Sequence, residues 1–196
     1  MSILFQNLYR AIRPTHLLEQ RWNKESENNP AFMLFSLIKN LSNLVVRTLL
    51  QSPARADSFH RLLVLGTSLI SLNNFSGAFA VALGVSQHVV TRLEINPLPA
   101  DEAMMKDLMD LVDSSRNYSN YRTRLAAIDH SESCVPYLGV VTQAITLIEE
   151  GNPTHIKNGE GEKQVNRDKV LLKEREKKRR RRSELSKKKK FFKRFF

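Results

Sequence analysis

The segment that decides the fold reads Cys134-Val-Pro-Tyr-Leu-Gly-Val-Val-Thr-Gln-Ala-Ile-Thr-Leu-Ile-Glu-Glu-Gly-Asn-Pro153. A proline turn begins it, an apolar stretch follows, and a Gly and a Pro that favour helix termination close it. This order predicts an apolar helix that follows the proline turn and stops near Gly151.

Helical spacing of apolar residues continues along the rest of the chain, without the strict alternation that is typical of half-buried strands. Pro30 suits the first turn of a long helix to about Leu50, because its missing N–H would be unpaired there in any residue. A short helix is predicted from Thr15 to Trp22. We therefore predict an all-α fold, with about ten helices in an irregular arrangement rather than a simple bundle.

Two further helices are predicted in the middle of the chain. Phe59–Ile70 has apolar residues on both sides, which is typical of a central helix. Phe75–Leu83 is predicted as a short buried helix, with Gly84 as a left-handed cap.

Charge divides the chain into two parts. The formal net charge is +11. Residues 173–196 contain fourteen Lys and Arg against three Glu, so residues 1–172 sum to zero. We therefore predict a neutral helical domain over 1–172 and a polybasic, low-complexity tail over 173–196.

Cysteine usage and hydropathy suggest a compartment. Cys134 is the single cysteine, so no intrachain disulfide is possible and a reducing environment fits. We find no apolar run near the roughly 18 to 20 residues of a membrane span, and no basic segment of a secretory signal. These features predict a cytoplasmic protein, or one that is peripheral at a membrane.

Two earlier blocks accompany the segment 134–153. They read Leu72-Asn-Asn-Phe-Ser-Gly-Ala-Phe79, which leads to Val89-Val-Thr-Arg-Leu93, and Asn117-Tyr-Ser-Asn-Tyr-Arg-Thr-Arg-Leu125. In this order the three resemble the catalytic domain of Ras-type guanine nucleotide exchange factors, the RasGEF family. The resemblance implies an irregular helical domain with a helical hairpin, and a partner among the Ras, Rap or Ral small GTPases.

The resemblance also implies how the domain acts. An exchange factor binds the nucleotide-free GTPase better than the nucleotide-bound form, so its effect is a difference in affinity and makes no covalent bond. It needs no cofactor, no metal and no nucleophile. The sequence has no Cys or His cluster at ligand spacing and no Gly-rich phosphate loop.

Family positions carried onto this chain give the candidate site. Thr146 and Glu150, four residues apart, would face the magnesium and phosphate site of the GTPase from one side of a helix. Without the resemblance, Glu149-Glu150 is a solvated helix end.

Contacts to the GTPase are implied for a second set of residues. Tyr118, Tyr137 and Val140 correspond to contact positions of the family, and Ser86 to a weaker polar one. Aromatics are common interface anchors, but core packing is an equal alternative for both tyrosines. A helix N-cap is the alternative for Ser86.

Several features depart from the family pattern. The chain begins just inside the domain, Leu44 stands where tryptophan is usual, Thr142 where leucine is usual, and Ala144 where an acidic or amide residue is usual. Val165-Asn166-Arg167-Asp168-Lys169 is similar to the start of the hairpin's second arm, with Arg167 in place of an aromatic. A basic run follows instead of the family's closing helices. A degenerate module that holds a GTPase without opening it is therefore an alternative.

The tail is compatible with several roles. Its Lys and Arg runs suit an anionic membrane, and its paired phenylalanines suit the membrane interface. A nuclear import signal fits the Lys-Arg run alone, and a nucleic-acid-binding arm fits the charge but lacks a folded reader. A solvated extension is the simplest alternative.

Overall fold

The structure, a computed structural model, describes residues 2–17, 20–24, 28–129, 131–151, 155–157 and 163–165. The α-helices over these residues are α1 Ser2–Ala11, α2 Arg21–Lys24, α3 Pro30–Gln51, α4 Arg55–Ser71, α5 Phe75–Val85, α6 His88–Thr91, α7 Pro99–Val112, α8 Ser119–Ala127 and α9 Leu138–Gly151. Two 3-10 turns, Pro14–His16 and Ser115–Asn117, complete the helical part.

The predicted all-α class is confirmed, with one small addition. Strands β1 His155–Lys157 and β2 Lys163–Val165 form an antiparallel pair in which His155 is opposite Val165. This hairpin was not predicted. The rest of the predicted second arm, from Asn166 to Lys169, and the tail over 173–196 lie outside the described residues.

The longest helix, α3, begins as its sequence predicts. Pro30 occupies its first turn, and the buried Asn29 side chain accepts a hydrogen bond from the Ala31 N–H at 2.9 Å. Capping of this kind stabilises a helix by about 1 kcal/mol. The helix was predicted to end at about Leu50, and it ends at Gln51 with Ser52 as its C-cap.

By length and mean hydropathy, α3 passes the test for a membrane span, which corrects the expectation that no apolar run is long enough. One face of α3 is buried, with Leu34, Ile38, Leu41 and Val45 among its residues. It packs against α1, α4 and α5. In the structure α3 is therefore a core helix of the domain.

The central helix is α5, not α4. Ten of the eleven α5 residues are buried, with only Leu83 exposed. In contrast, Val64 on α4 is 41% exposed and Leu65 is only partly buried, so the second apolar side of α4 is incompletely covered. The prediction that α4 is central was wrong, because apolar residues on both sides of a helix do not establish what covers them.

Gly84 lies inside α5 and does not cap it. The helix continues to Val85 and ends at Ser86, whose φ of −86° is right-handed. A Cβ on Gly84 would lie 2.6 Å from the Val45 Cβ and 2.9 Å from the Ser42 carbonyl oxygen. The glycine is therefore required by the close approach of α3 and α5, not by its conformational freedom.

The helix predicted from Thr15 to Trp22 was also wrong in extent. The 3-10 turn ends at His16, and α2 begins only at Arg21. Gln20, between them, has a left-handed φ of 55°.

Two clusters of buried side chains form the core, and α5 lies between them. The larger joins α3, α4, α5, α7 and α8, and includes Phe59, Leu63, Phe79 and Leu108. The smaller joins α1, α3 and the start of α9 around Phe5. The first half of α9 is therefore attached to the domain through both clusters.

Candidate functional site

An aromatic cluster joins α5, the start of α8 and the turn before α9. The Phe79 ring stacks on the Tyr137 ring, with centroids 3.9 Å apart and planes 12° apart. Tyr118 lies against the same ring, with its centroid 6.3 Å away. The two predicted contact tyrosines are therefore brought together by Phe79, and both remain partly exposed. We call Tyr118, Tyr137 and Phe79 the aromatic platform.

Tyr121 supports the aromatic platform from the interior of the domain. Its ring is 1% exposed and meets Phe79 edge-on at 5.4 Å. Its hydroxyl accepts a hydrogen bond from the Tyr137 N–H at 2.9 Å and lies 3.5 Å from the Tyr137 carbonyl oxygen. One hydroxyl therefore connects α8 to the backbone just before α9.

Burial changes the acidity of two of these phenols. It raises the pKa of Tyr121 well above the ordinary value, because the phenolate would lose its hydration. Burial also raises the pKa of Tyr137, with a smaller contribution from the neighbouring Tyr118. Both hydroxyls therefore stay protonated at neutral pH and can donate hydrogen bonds.

The backbone before α8 is strained where it presents Tyr118. Arg116, Asn117 and Tyr118 have φ values of 49°, 58° and 57°, a run of three left-handed residues without a glycine. Such positions cost on the order of 1–3 kcal/mol each and persist where the surroundings determine them. Here the Arg122 guanidinium donates to the Asn117 carbonyl oxygen at 2.8 Å and to its side-chain oxygen at 3.3 Å.

The turn that precedes α9 is fixed to the α4–α5 junction. The Val135 N–H donates to the Asn73 carbonyl at 2.9 Å, and the Ser76 hydroxyl donates to the Pro136 carbonyl at 2.8 Å. Asn74, fully buried, accepts from the Gly77 N–H at 3.0 Å and so caps α5. The base of α9 therefore rests on the central helix of the domain.

Burial along α9 stops before its last turns. The buried residues are Leu138, Val140, Thr142 and Ile145, and none follows Ile145. Leu147 is 61% exposed, and Glu150 is exposed at the end of the helix. The second half of α9 is therefore less buried than its well-packed first half, with Thr146, Ile148 and Glu149 half-buried.

Thr146 and Glu150 lie on this less buried half. Thr146 is half-buried and Glu150 is exposed, and their spacing places both on one side of the helix. The Gln20 amide nitrogen lies 3.5 Å from a Glu150 carboxylate oxygen. Glu150 lies about 20 Å along the helix axis from Tyr137, at a rise of about 1.5 Å per residue.

Two predicted contact residues are placed differently from the others. Val140 is 3% exposed and belongs to the larger core cluster. Its burial argues against the predicted contact role, because a covered side chain presents no surface to a partner. Ser86 is exposed, but it ends α5 and Gln87 is the N-cap of α6, so the alternative of an N-cap is wrong. Along α5, Ser86 lies about 10 Å from Phe79.

Sequence reasoning missed three residues of the site. Phe79 and Arg122 were within quoted blocks, but Phe79 was interpreted only as part of a buried helix and Arg122 was given no role. Gln20 lies far along the chain from Glu150, the residue that it approaches. Among the described residues, no group of three or more His, Cys, Asp or Glu is arranged to hold a metal ion.

Thr142 and Ala144 lie on α9, where the buried Thr142 hydroxyl donates to the Gly139 carbonyl at 3.0 Å. Leu44 is 56% exposed on α3.

Comparison with known proteins adds a family to this geometry. Residues 1–171 match the family described as the RasGEF domain. The chain is similar to Ras guanine nucleotide exchange factor K of Dictyostelium discoideum, with 31% identity over 164 residues, 76% of this chain and 10% of that protein. It is also similar to Ras guanine nucleotide exchange factor A of Dictyostelium discoideum, with 29% identity over 175 residues, 85% of this chain and 28% of that protein.

A yeast protein is similar as well. Guanine nucleotide exchange factor SDC25 of Saccharomyces cerevisiae (strain YJM789) is 26% identical over 183 residues, which is 88% of this chain and 14% of that protein. The chain therefore spans between 10% and 28% of the length of these three relatives.

Proposed function

The chain belongs to the RasGEF family, and from that premise we propose that its helical domain promotes the release of GDP from a Ras-family small GTPase. The observation that carries the proposal is that burial along α9 stops at Ile145, while the partly exposed Tyr118 and Tyr137 lie near the base of the same helix. A helix with a rigid base and a less buried end is suited to entering a nucleotide site while the platform holds the GTPase.

The proposed reaction is an exchange of ligands, not of covalent bonds. The domain lowers the affinity of the GTPase for GDP because its own contacts are stronger when the nucleotide site is open. Glu150 supplies a carboxylate that competes with phosphate for the cationic and N–H groups of that site. Thr146, one helical turn earlier, occupies the space of the magnesium ion.

Support for α9 comes from its base. Backbone hydrogen bonds from Val135 and the Ser76–Pro136 contact fix the turn before α9 against α5. The Tyr121 hydroxyl fixes Tyr137 from the other side. A helix that pushes a switch loop aside requires this resistance, since a small misplacement of a catalytic group reduces rates strongly.

In this account the aromatic platform binds the GTPase in both states. Tyr118 and Tyr137 are partly exposed and are held in place by Phe79 and Tyr121. Ordered aromatics lose little conformational entropy on binding, and truncation of such an anchor typically costs about 2 kcal/mol or more. The platform therefore sets affinity, whereas Glu150 sets the difference between the two nucleotide states.

A binding comparison tests the proposal. The full chain is incubated with Ras, Rap and Ral, either with EDTA, which removes magnesium and nucleotide, or with excess GDP and magnesium. Preference for the EDTA condition is expected, because a ligand with equal affinity for both states shifts nothing. Equal retention in both conditions would instead favour a scaffold that holds the GTPase, and the GTPase retained best identifies the partner.

For the tail we propose peripheral attachment to an anionic membrane, in a cytoplasmic protein. The fourteen basic residues of 173–196 support this, since each contributes about 1 kcal/mol near an anionic surface. Vesicles with phosphatidylserine should retain the full chain at low salt and release it as salt rises, because the Debye length shortens to about 8 Å at physiological ionic strength. Equal retention of a chain cut at Lys173 would contradict a membrane role, and nuclear accumulation of the intact chain in cells would favour the import alternative.

A further inference from the structure

A cavity opens between α4, the loop after α6, and α7, away from the residues proposed for exchange. Its volume is about 390 Å³, which falls in the range of about 300–1,000 Å³ that is usual for ligand sites. Most of its lining is apolar, including the side chains of Phe59, Ile95, Pro97, Met105 and Met109. The proposed exchange mechanism makes no use of it.

The loop after α6 and the helix α7, which form part of the cavity, are rich in acidic residues. Residues 94–113 contain six Asp and Glu against one Lys, a formal charge of −5 in a domain that is otherwise positive. Glu102 and Lys106 line the cavity itself, and Glu102 and Asp110 are exposed. We call residues 94–113 the acidic face.

The buried carboxylate beneath the cavity has a structural role. Asp101 accepts from the Leu98 N–H at 2.8 Å, and its other oxygen lies 2.7 Å from the His60 Nδ1. These contacts hold the first turn of α7, which forms part of the cavity wall. The exposed carboxylates of the acidic face are therefore Glu94, Glu102, Asp110 and Asp113; of these, only Glu102 lines the cavity, where Lys106 is exposed as well.

One segment of the same chain complements the acidic face in both respects. Residues 187–196 read Lys-Lys-Lys-Lys-Phe-Phe-Lys-Arg-Phe-Phe, with six cations and four aromatic rings. Phenylalanine rings suit an apolar cavity lined by methionine, because thioether sulfur packs favourably against aromatic edges. The flanking Lys and Arg suit the acidic rim.

The tail is long enough to reach the cavity. Twenty-five residues separate Val165, the last of β2, from Phe191. Extended chain spans at most about 3.3–3.6 Å per residue, or about 80 Å here. A domain of about 165 residues has a radius of gyration of about 15 Å. Any point on the domain surface is therefore within reach.

We propose that residues 187–196 dock on the acidic face, with a phenylalanine in the cavity between α4 and α7. Docking would explain two features together. Residues 187–196 combine basic charge with aromatic rings, and the acidic face combines negative charge with an apolar cavity. Held in this way, the tail is withdrawn from other anionic surfaces. Salt weakens the docking, because the charge contacts at the exposed rim are screened.

Methionine methyl NMR of the full chain tests the docking. Met105 and Met109 line the cavity, whereas Met33 lies on α3 and is 44% exposed, so the chain contains its own reference signal. Replacing the four tail phenylalanines by alanine should shift the Met105 and Met109 resonances and leave Met33 unchanged. Raising the salt concentration should move the same two resonances in the parent chain and not in the variant. These substitutions lie outside the helical domain, so its folding is not at risk.

A charge-reversal pair provides the matched control. The double substitution Glu102→Lys and Asp110→Lys should shift the Met105 and Met109 resonances more in the parent chain than in the alanine-tail variant. In the parent chain it also releases a docked phenylalanine ring, whereas the variant has no ring to release. Identical Met105 and Met109 resonances in the parent and alanine-tail chains would overturn the proposal. It would also be overturned if the tail phenylalanines were required for vesicle binding and had no effect on the domain, because the membrane would then be their binding site. A shift that grows with protein concentration would assign the docking to two copies and contradict the intramolecular form.

Discussion

Tyr121→Phe removes a single hydroxyl from the junction between α8 and α9. In the structure that hydroxyl accepts the Tyr137 N–H at 2.9 Å, and Tyr121 is 1% exposed. Phenylalanine leaves a buried N–H without its partner, which costs about 1–3 kcal/mol. For a domain of this size, each kcal/mol moves the unfolding midpoint by about 2–4 °C, so a decrease of about 2–12 °C is expected.

Thermal and urea unfolding of the full chain, followed by far-UV circular dichroism, measures this loss. Tyr118→Phe serves as the control, because it removes a hydroxyl from a partly exposed member of the same cluster, where water can replace a lost partner. Its effect should stay within about 0.5 kcal/mol. The same midpoint for the Tyr121→Phe and parent chains would refute the role of this hydroxyl in fixing the turn before α9. The turn before α9 would then be held by the Val135 and Ser76 hydrogen bonds and not by Tyr121.

Two further predictions concern stability. Gly84→Ala should destabilise the fold by about 1–3 kcal/mol in urea unfolding, because its Cβ would lie 2.6 Å from that of Val45, whereas Gly151→Ala, with nothing within 4 Å, should not. At high pH the folded chain keeps the Tyr121 proton that the unfolded chain releases, since burial raises that pKa. The free energy of unfolding should therefore be unaffected by this group below about pH 10 and fall above it by up to about 1.4 kcal/mol per pH unit, and Tyr121→Phe should reduce that slope in alkaline titrations. An unchanged slope, or equal effects of the two glycine substitutions, would contradict the packing described here.

Local signals in the sequence were sufficient for the helices that they mark. Pro30 opens α3 as expected, and α9 ends at Gly151 as expected. Capping and termination depend on a few neighbouring residues, so they can be predicted without knowledge of the tertiary structure.

Packing between distant segments could not be predicted in this way. Glycine often caps helices, but the role of Gly84 depends on its close approach to Val45 of α3. Val64 belongs to the second apolar side of α4, but it is 41% exposed in the fold. The β-hairpin that includes His155 is three residues per strand, too short for an alternating pattern to be recognised.

The same distinction between local sequence signals and tertiary packing applies to the candidate site. The family resemblance implied the pair Thr146 and Glu150, helix geometry puts them on one side, and the structure places both on the less buried half of α9. The stacking of Tyr137 on Phe79 required the fold, since α5 and the turn before α9 are far apart in the sequence. Family positions implied contact tyrosines, whereas the reason that they lie together is tertiary packing.

The central claim is that α9 acts on the nucleotide while the aromatic platform binds the GTPase. Release of mant-GDP from the best-binding GTPase, measured with a parallel binding titration, tests it most directly. Glu150→Ala should slow release by about 10-fold or more and leave affinity for the nucleotide-free GTPase nearly unchanged, since about 1.4 kcal/mol corresponds to a factor of ten. Tyr118→Ala should reduce both, and Glu149→Ala, on a different side of the helix, should reduce neither. Release at the parental rate with Glu150→Ala would contradict the account, and Glu149-Glu150 would then be a solvated helix end.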